Sequence, residues 1–187
     1  MEQIKTWRTE LKTQQALLEQ EFLKNTNPAS LLKKHAKLID KLLSKVWQHS
    51  ELNNEITLIA VGGYGREELF PFSDIDLLIL MPENASDEQN KKIEALIGVL
   101  WDLGLNIGHS VRTLQECITE AADDATIQTN LLESRLICGS EVVYTQFFIE
   151  IKQQLNATAF LDAKIAEQNK RHEKFNDSGY SLEPNIK

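Results

Sequence analysis

Two aspartates stand two residues apart at the start of an apolar run, in the order Asp74, Ile75, Asp76 and Leu77. In a strand, side chains two residues apart point to the same face, so the two carboxylates project together, about 7 Å apart at their Cα atoms. Two such charges repel one another unless a cation lies between them. Mg²⁺ prefers oxygen ligands and keeps positions open for water and phosphate oxygens. The pair therefore predicts a Mg²⁺ site, with Asp74 and Asp76 as catalytic metal ligands, that acts on a polyphosphate.

A pair of glycines, Gly62 and Gly63, ends the preceding apolar run. Without Cβ atoms, this backbone lets a triphosphate approach closely and offers N–H groups to its oxygens. Ser73 could add a hydroxyl donor, and Arg66 and Arg112 could add charged guanidinium groups. A glycine pair alone is usually a turn, and a lone Asp-x-Asp usually caps a loop. Their order between two apolar runs favours a nucleotide-binding site.

The elements around these residues follow from the period of the apolar pattern. Strands are predicted over 56–61, 75–81 and 105–112, with a short helix at 67–69 and a longer helix over 86–103. A helix between strands indicates a small mixed α/β sheet. The expected fold class is therefore α+β, with a nucleotide-binding core around that sheet.

Helical periodicity dominates both ends of the chain. Two helices, over 3–24 and 29–49, form an expected N-terminal helical hairpin broken at Asn27-Pro28. After the third strand, Thr113 and Glu116 form a capping box, and further helices are predicted over 126–137, 140–155 and 159–175. The sequence thus predicts an N-terminal helical region over 1–50, a core over 51–124 and a C-terminal helical extension over 125–187. No chemistry is expected before residue 55.

Composition narrows the class of protein. The 187 residues carry a net charge of -8, which disfavours nucleic acid as a partner because phosphate backbones require a basic surface. No apolar run approaches the roughly 18 residues of a membrane span, and the charged N-terminus is unlike a secretory signal. The two cysteines, Cys117 and Cys138, are expected to be buried thiols in helical surroundings. These features predict a cytoplasmic protein with no membrane partner.

The pattern of Gly-Gly followed about ten residues later by Asp-apolar-Asp resembles the nucleotidyltransferase superfamily that includes DNA polymerase beta. The longer string GGYGREELFPFSDIDLLIL is similar to bifunctional uridylyltransferase/uridylyl-removing enzymes that modify the PII nitrogen-regulatory protein. The strings WDLGLNIGHSVRT, TNLLESRLICG and LEPNIK agree with that family. The resemblance covers residues 55 to 187.

The resemblance implies a Mg²⁺-dependent transfer of UMP from UTP to a tyrosine of PII, with release of pyrophosphate. It also implies that the chain is a truncated part of a longer enzyme whose uridylyl-removing domain lies elsewhere, since no His-Asp dipeptide occurs here.

One departure from the superfamily concerns the third strand, which usually carries a third carboxylate but here reads NIGHSVR. His109 or Ser110 could stand near the metal, Asp102 or Glu133 could supply an acid, or two acids could suffice. Asn130, Glu133 and Arg135 also match the family's string, and one of them could contact nucleotide or metal.

Two alternatives stay open from the sequence. The missing third acid is compatible with a nucleotide-sensing module that does not turn over. An adenylyltransferase acting on glutamine synthetase carries a similar Gly-Gly and Asp-x-Asp region, although GHSVRT and LEPNIK favour the PII-modifying family.

Overall fold

The computed structural model describes residues 2–53 and 55–174, which form eight helices and four strands. The tail string LEPNIK lies outside the described residues. In chain order the elements are α1 (Glu2–Lys24), α2 (Pro28–His49), β1 (Thr57–Ala60), α3 (Gly62–Gly65), β2 (Ile75–Leu80), α4 (Asp87–Asp102), β3 (Ile107–Arg112), α5 (Leu114–Asp123), α6 (Ala125–Leu132), β4 (Arg135–Cys138), α7 (Glu141–Gln153) and α8 (Ala157–Lys174).

The four strands form one mixed sheet in the order β3-β2-β1-β4. β1 is antiparallel to both β2 and β4, whereas β2 and β3 are parallel and are joined through α4. A parallel pair needs such a crossover connection, because a tight turn can join only antiparallel neighbours. The mixed sheet with flanking helices confirms the predicted α+β class.

Each face of the sheet packs against its own set of helices. Leu77 and Ile79 of β2 join a core that includes Ile39 and Leu43 of α2 and Leu96 of α4. Their neighbours Leu78 and Leu80 face the other way and pack with residues of α5, α6 and α7, namely Cys117, Leu131 and Phe147. Because side chains alternate along a strand, Asp76 lies on the face of α5–α7.

Several helix ends are fixed by side-chain caps. Thr113 and Glu116 form the predicted capping box at the start of α5. Asn27 caps α2 by accepting a hydrogen bond from the Ser30 N–H. The short helix predicted at 67–69 is wrong, because the helical turn after β1 is formed by the glycine segment of α3 itself.

The prediction of a helix over 126–137 is wrong in its second half. α6 ends at Leu132, and β4 pairs with β1, with Ile59 opposite Leu136 and Leu58 opposite Cys138. This pairing gives β1 a hydrogen-bonding partner on its second edge. The local apolar pattern of residues 126–137 cannot predict a pairing with such a distant segment. The sheet therefore continues beyond residue 124, where the sequence predicts the end of the core. Cys138 consequently lies in a strand rather than in helical surroundings, and it is half-buried, whereas Cys117 is buried as predicted. Both cysteines are free thiols.

None of the described helices is long and apolar enough to cross a lipid bilayer.

Candidate active site

The site begins at α3, a single turn of helix that directly follows β1. Gly62 opens this turn with φ of +58°, a left-handed conformation that favours glycine. Gly65 closes it against the chain that leads into β4, where an added Cβ would lie 1.8 Å from the Glu133 carbonyl oxygen. Both glycines are therefore required by backbone geometry, and the first one also faces the carboxylates.

The Asp76 carboxylate lies between two glycines. A Cβ added to Gly62 would stand 3.8 Å from Asp76 Oδ2, and one added to Gly108 would stand 2.5 Å from Asp76 Oδ1. Gly108 is the register partner of Asp76 across the parallel pair, so its missing side chain leaves the room that the carboxylate occupies. The structure thus brings the acid of β2 and the first glycine of α3 to one place.

Asp74 precedes β2 by one residue and accepts a hydrogen bond from the Asn106 side-chain amide. Its charge acts on Asp76: burial first, and then the neighbouring Asp74 carboxylate, raises the pKa of Asp76. A cation between the two groups would relieve both costs, and carboxylate oxygens are the ligands that Mg²⁺ takes. The two adjacent carboxylates therefore fit a Mg²⁺ site at Asp74 and Asp76.

Two further residues predicted to contact phosphate lie in segments that adjoin this site. The Arg66 guanidinium forms ion pairs with Glu68, at 2.8 Å, and with Glu133. It lies beside α3, since a Cβ added to Gly63 would stand 3.9 Å from Arg66 Nη2. The Ser73 N–H donates to the Phe70 carbonyl at 3.1 Å, in the turn directly before Asp74. Arg66 therefore stands at the glycine helix in a paired state.

Arg112 lies at the other end of the sheet from the carboxylates. It is the register partner of Leu80, whereas Asp76 faces Gly108, so four residues or about 13 Å of strand separate them. Its guanidinium pairs with Glu120 of α5. The structure therefore does not bring Arg112 together with the other predicted phosphate ligands. Because β3 runs parallel to β2, the end of β3 that carries Arg112 lies far from Asp74 and Asp76.

The candidates for a third metal ligand do not gather around Asp76 either. His109 is the register partner of Leu77, on the opposite face from Asp76, and its ring contacts the Trp101 ring at 5.7 Å. Asp102 ends α4 on that opposite face, and Glu133 pairs with Arg66. Ser110 shares the face of Asp76. Within 2–53 and 55–174, no group of three or more His, Cys, Asp or Glu side chains is placed to hold a metal.

Asn130 is the polar side chain that the fold adds to the site. It projects from α6, and a Cβ added to Gly62 would stand 3.3 Å from its Oδ1 atom, beside Asp76. Its amide has no hydrogen-bond partner among the described residues. The sequence indicates Asn130 only as one of three polar residues in a shared string. Packing of α6 against α3 is what distinguishes it.

Comparisons with known proteins show the family to which the chain is similar. The profile of the family described as Nucleotidyltransferase domain matches residues 31–138, and the profile described as GlnD PII-uridylyltransferase matches residues 159–187. A bifunctional uridylyltransferase/uridylyl-removing enzyme of Burkholderia lata is 46% identical over 180 residues, which are 96% of this chain and 21% of that protein. The enzyme of the same description from Nitrosospira multiformis is 43% identical over 176 residues, 91% of this chain and 20% of that protein. A solved toxin–antitoxin structure with AMP-PNP aligns at a TM-score of 0.37 and 12% identity, over 74% of this chain and 96% of that one. The chain thus spans about a fifth of the length of the curated relatives it matches.

Proposed function

We propose, because this chain belongs to the nucleotidyltransferase domain family, that it transfers UMP from UTP to a tyrosine hydroxyl of a PII regulatory protein and releases pyrophosphate. The observation that carries the proposal is the position of the Asp76 carboxylate between Gly62 and Gly108, with Asp74 next to it. This arrangement offers paired acidic oxygens beside a backbone that a triphosphate can approach. The nucleotidyltransferase class follows from the family, whereas Mg²⁺, UTP, the tyrosine acceptor on PII and the release of pyrophosphate are the proposed part.

The triphosphate would lie along the start of α3, where Gly62 and Gly63 carry no side chains that would keep phosphate oxygens from the backbone N–H groups. Asp74 and Asp76 would hold Mg²⁺, which when bound neutralises charge on the phosphates and lowers the pKa of the attacking hydroxyl. The Asn130 amide, which has no partner among the described residues, would donate to a phosphate or ribose oxygen in the space beside Gly62.

The reaction is an in-line displacement at the α-phosphorus. The tyrosine oxygen forms a bond to this phosphorus, and the bond from it to the bridging oxygen breaks, so that pyrophosphate leaves with the electron pair. The hydroxyl proton passes to solvent, which reaches the site because Asp74 is exposed. The chain contributes positioning and charge compensation, which supply most of the acceleration in this class of reaction.

The choice of uracil and of PII is supported by the relatives. They are described as uridylyltransferases, and the second matching family is a PII-uridylyltransferase. A tyrosine hydroxyl of a protein acceptor could reach this site from solvent, since Asp74 is exposed and Asp76 is half-buried.

The test replaces Asp74 or Asp76 by Asn and measures Mg²⁺-dependent transfer of labelled UMP to PII. Each variant is expected to lose more than about tenfold of the rate, at least about 1.4 kcal/mol in activation free energy, while its thermal unfolding shows an intact fold. Asp162→Asn, an exposed aspartate of α8, is the matched control and should keep the parental rate. A substituted chain that retains more than about a tenth of the rate would contradict the ligand role.

The same assay separates the alternatives. UTP binding without pyrophosphate release in the presence of PII would favour a sensing module. Preference for ATP over UTP in direct competition, with glutamine synthetase as acceptor, would favour an adenylyltransferase.

A further inference from the structure

Three polar side chains from distant parts of the chain form hydrogen bonds with one another next to α3. Arg135 of β4 donates from Nη1 to Asp40 Oδ2 at 2.9 Å and from Nη2 to Asp40 Oδ1 at 3.1 Å. The hydroxyl of Tyr64, a fully buried residue of α3, donates to the same Oδ1 atom at 2.6 Å. We refer to Asp40, Tyr64 and Arg135 together as the rear clamp. It joins α2, α3 and β4. The helical region before residue 50 therefore contacts α3, the short helix that carries Gly62 of the candidate active site.

The rear clamp also holds the backbone of α3. Arg135 donates from Nη2 to the Tyr64 carbonyl and from Nε to the Gly65 carbonyl, both at 3.3 Å. These two residues are the last of α3, and the last carbonyls of a helix lack partners within it. One guanidinium therefore fixes the carbonyl end of the turn whose other end begins at Gly62.

A helix of this length depends on such contacts. α3 has four residues, and a single turn is unstable on its own because the first hydrogen bond fixes several residues at once. Its position is set from behind by the rear clamp and by the contact of Gly65 with the Glu133 carbonyl. On its front side, Gly62 faces Asp76 and Asn130. A shift of the clamp would therefore move the glycine backbone relative to the carboxylates.

We infer that Asp40, Tyr64 and Arg135 are positioning residues that hold the glycine backbone of α3 in place for the nucleotide triphosphate. The inference rests on the proposed function, since it assigns the ligand that α3 receives. It gives α2 a role in catalysis although no α2 side chain is placed among the carboxylates. Asp74 and Asp76 lie on a different segment, so the metal site itself does not depend on the clamp.

The experiment uses Asp40→Asn, which keeps the shape and an acceptor for Tyr64 but removes the charge that pairs with Arg135. Two ligands are titrated without PII: Mg·UTP by calorimetry, and Mn²⁺ alone by electron paramagnetic resonance. The dissociation constant of Mg·UTP is expected to rise at least about tenfold, the order of effect of losing one hydrogen bond to a charged group. The Mn²⁺ affinity is expected to stay within about twofold of the parental value.

This split separates positioning from general destabilisation, which would weaken both ligands together. Glu10→Gln is the matched control, because Glu10 also forms an ion pair with a residue of α2, Lys45, at 2.7 Å, but both side chains of this pair are exposed to solvent. It should change neither affinity. Tyr64→Phe removes one hydroxyl only and should raise the Mg·UTP dissociation constant by about threefold even if Asp40→Asn does not fold.

The outcomes are distinct. Parental Mg·UTP affinity in Tyr64→Phe and Asp40→Asn would overturn the inference and leave the proposed function standing. Failure of the unsubstituted chain to bind Mg·UTP, with Mn²⁺ bound normally, would overturn the proposed function and the inference with it. Equal weakening of both ligands in Asp40→Asn at a temperature where it is folded would also overturn the inference.

Discussion

Replacing Gly108 by Ala should impair nucleotidyl transfer although Gly108 carries no functional group. The added Cβ would lie 2.5 Å from Asp76 Oδ1, whereas ordinary van der Waals contact begins at 3.4 Å, so the carboxylate must move by about 0.9 Å. Displacement of a catalytic group by about 1 Å costs on the order of 100-fold in rate, or about 2.7 kcal/mol in activation free energy. We therefore expect Gly108→Ala to lower the UMP transfer rate by about 100-fold.

The matched control is Gly98→Ala in α4. A Cβ added there meets nothing within 4 Å, so the rate should be unchanged. Because Gly is a poor helix former, this control should also raise the free energy of unfolding by up to about 1 kcal/mol. The pair of variants thus compares the same chemical change with and without a carboxylate in its path.

The assay is single-turnover transfer of labelled UMP to PII at saturating Mg²⁺, accompanied by thermal unfolding of both variants. A rate for Gly108→Ala within about threefold of the parental rate would refute the reasoning. It would mean that β3 moves away and leaves Asp76 in place, and a lowered melting temperature would then accompany the unchanged rate.

Three further predictions concern pH, nucleotide binding and the strand edge. Asp76 contributes stability that is fully present below its unfolded pKa of about 3.9 and is lost as pH rises through its raised folded pKa, so the parental melting temperature without Mg²⁺ should fall relative to Asp76→Asn as pH rises above about 4. A constant difference between the two melting curves would contradict this sign. Asn130→Ala should raise the KM for UTP by about tenfold, the value of one hydrogen bond to a charged group, and an unchanged KM would remove Asn130 from the site. Gly139→Ala should destabilise the fold by at least about 1–3 kcal/mol, because Gly139 has φ of +103° and an added Cβ would lie 2.6 Å from the Ile56 carbonyl oxygen. Denaturant unfolding measures this loss, and parental stability would contradict it.

Local patterns were sufficient to place the residues of the candidate site near one another. The Asp-x-Asp spacing and the glycine pair lie within one short stretch, and strand periodicity alone places Asp74 and Asp76 on one side. Three of the four strands and most helix bounds follow from apolar period and caps for the same reason. Each of these features depends on residues that are close in sequence.

Features that depend on pairing between distant segments could not be predicted in this way. β4 reads as the end of a helix, and only the open edge of β1 makes it a strand. Arg112 stands at the far end of its strand because β3 runs parallel to β2, a direction that composition does not encode. The contact of Arg135 with Asp40 spans 95 residues of chain, and no periodic pattern links the two.

The dependence of α3 on α2 bears on how this fold could be transplanted. A graft that begins at residue 51 would carry both aspartates and both glycines into a recipient scaffold, yet it would leave the Arg135 guanidinium half-buried without its anion. A portable segment must therefore start no later than Pro28, where α2 begins, and it must include α7, whose Phe147 covers the face of the sheet that carries Asp76. The second helix of the N-terminal hairpin, α2, must therefore be retained in any engineered protein that is to keep the geometry of α3.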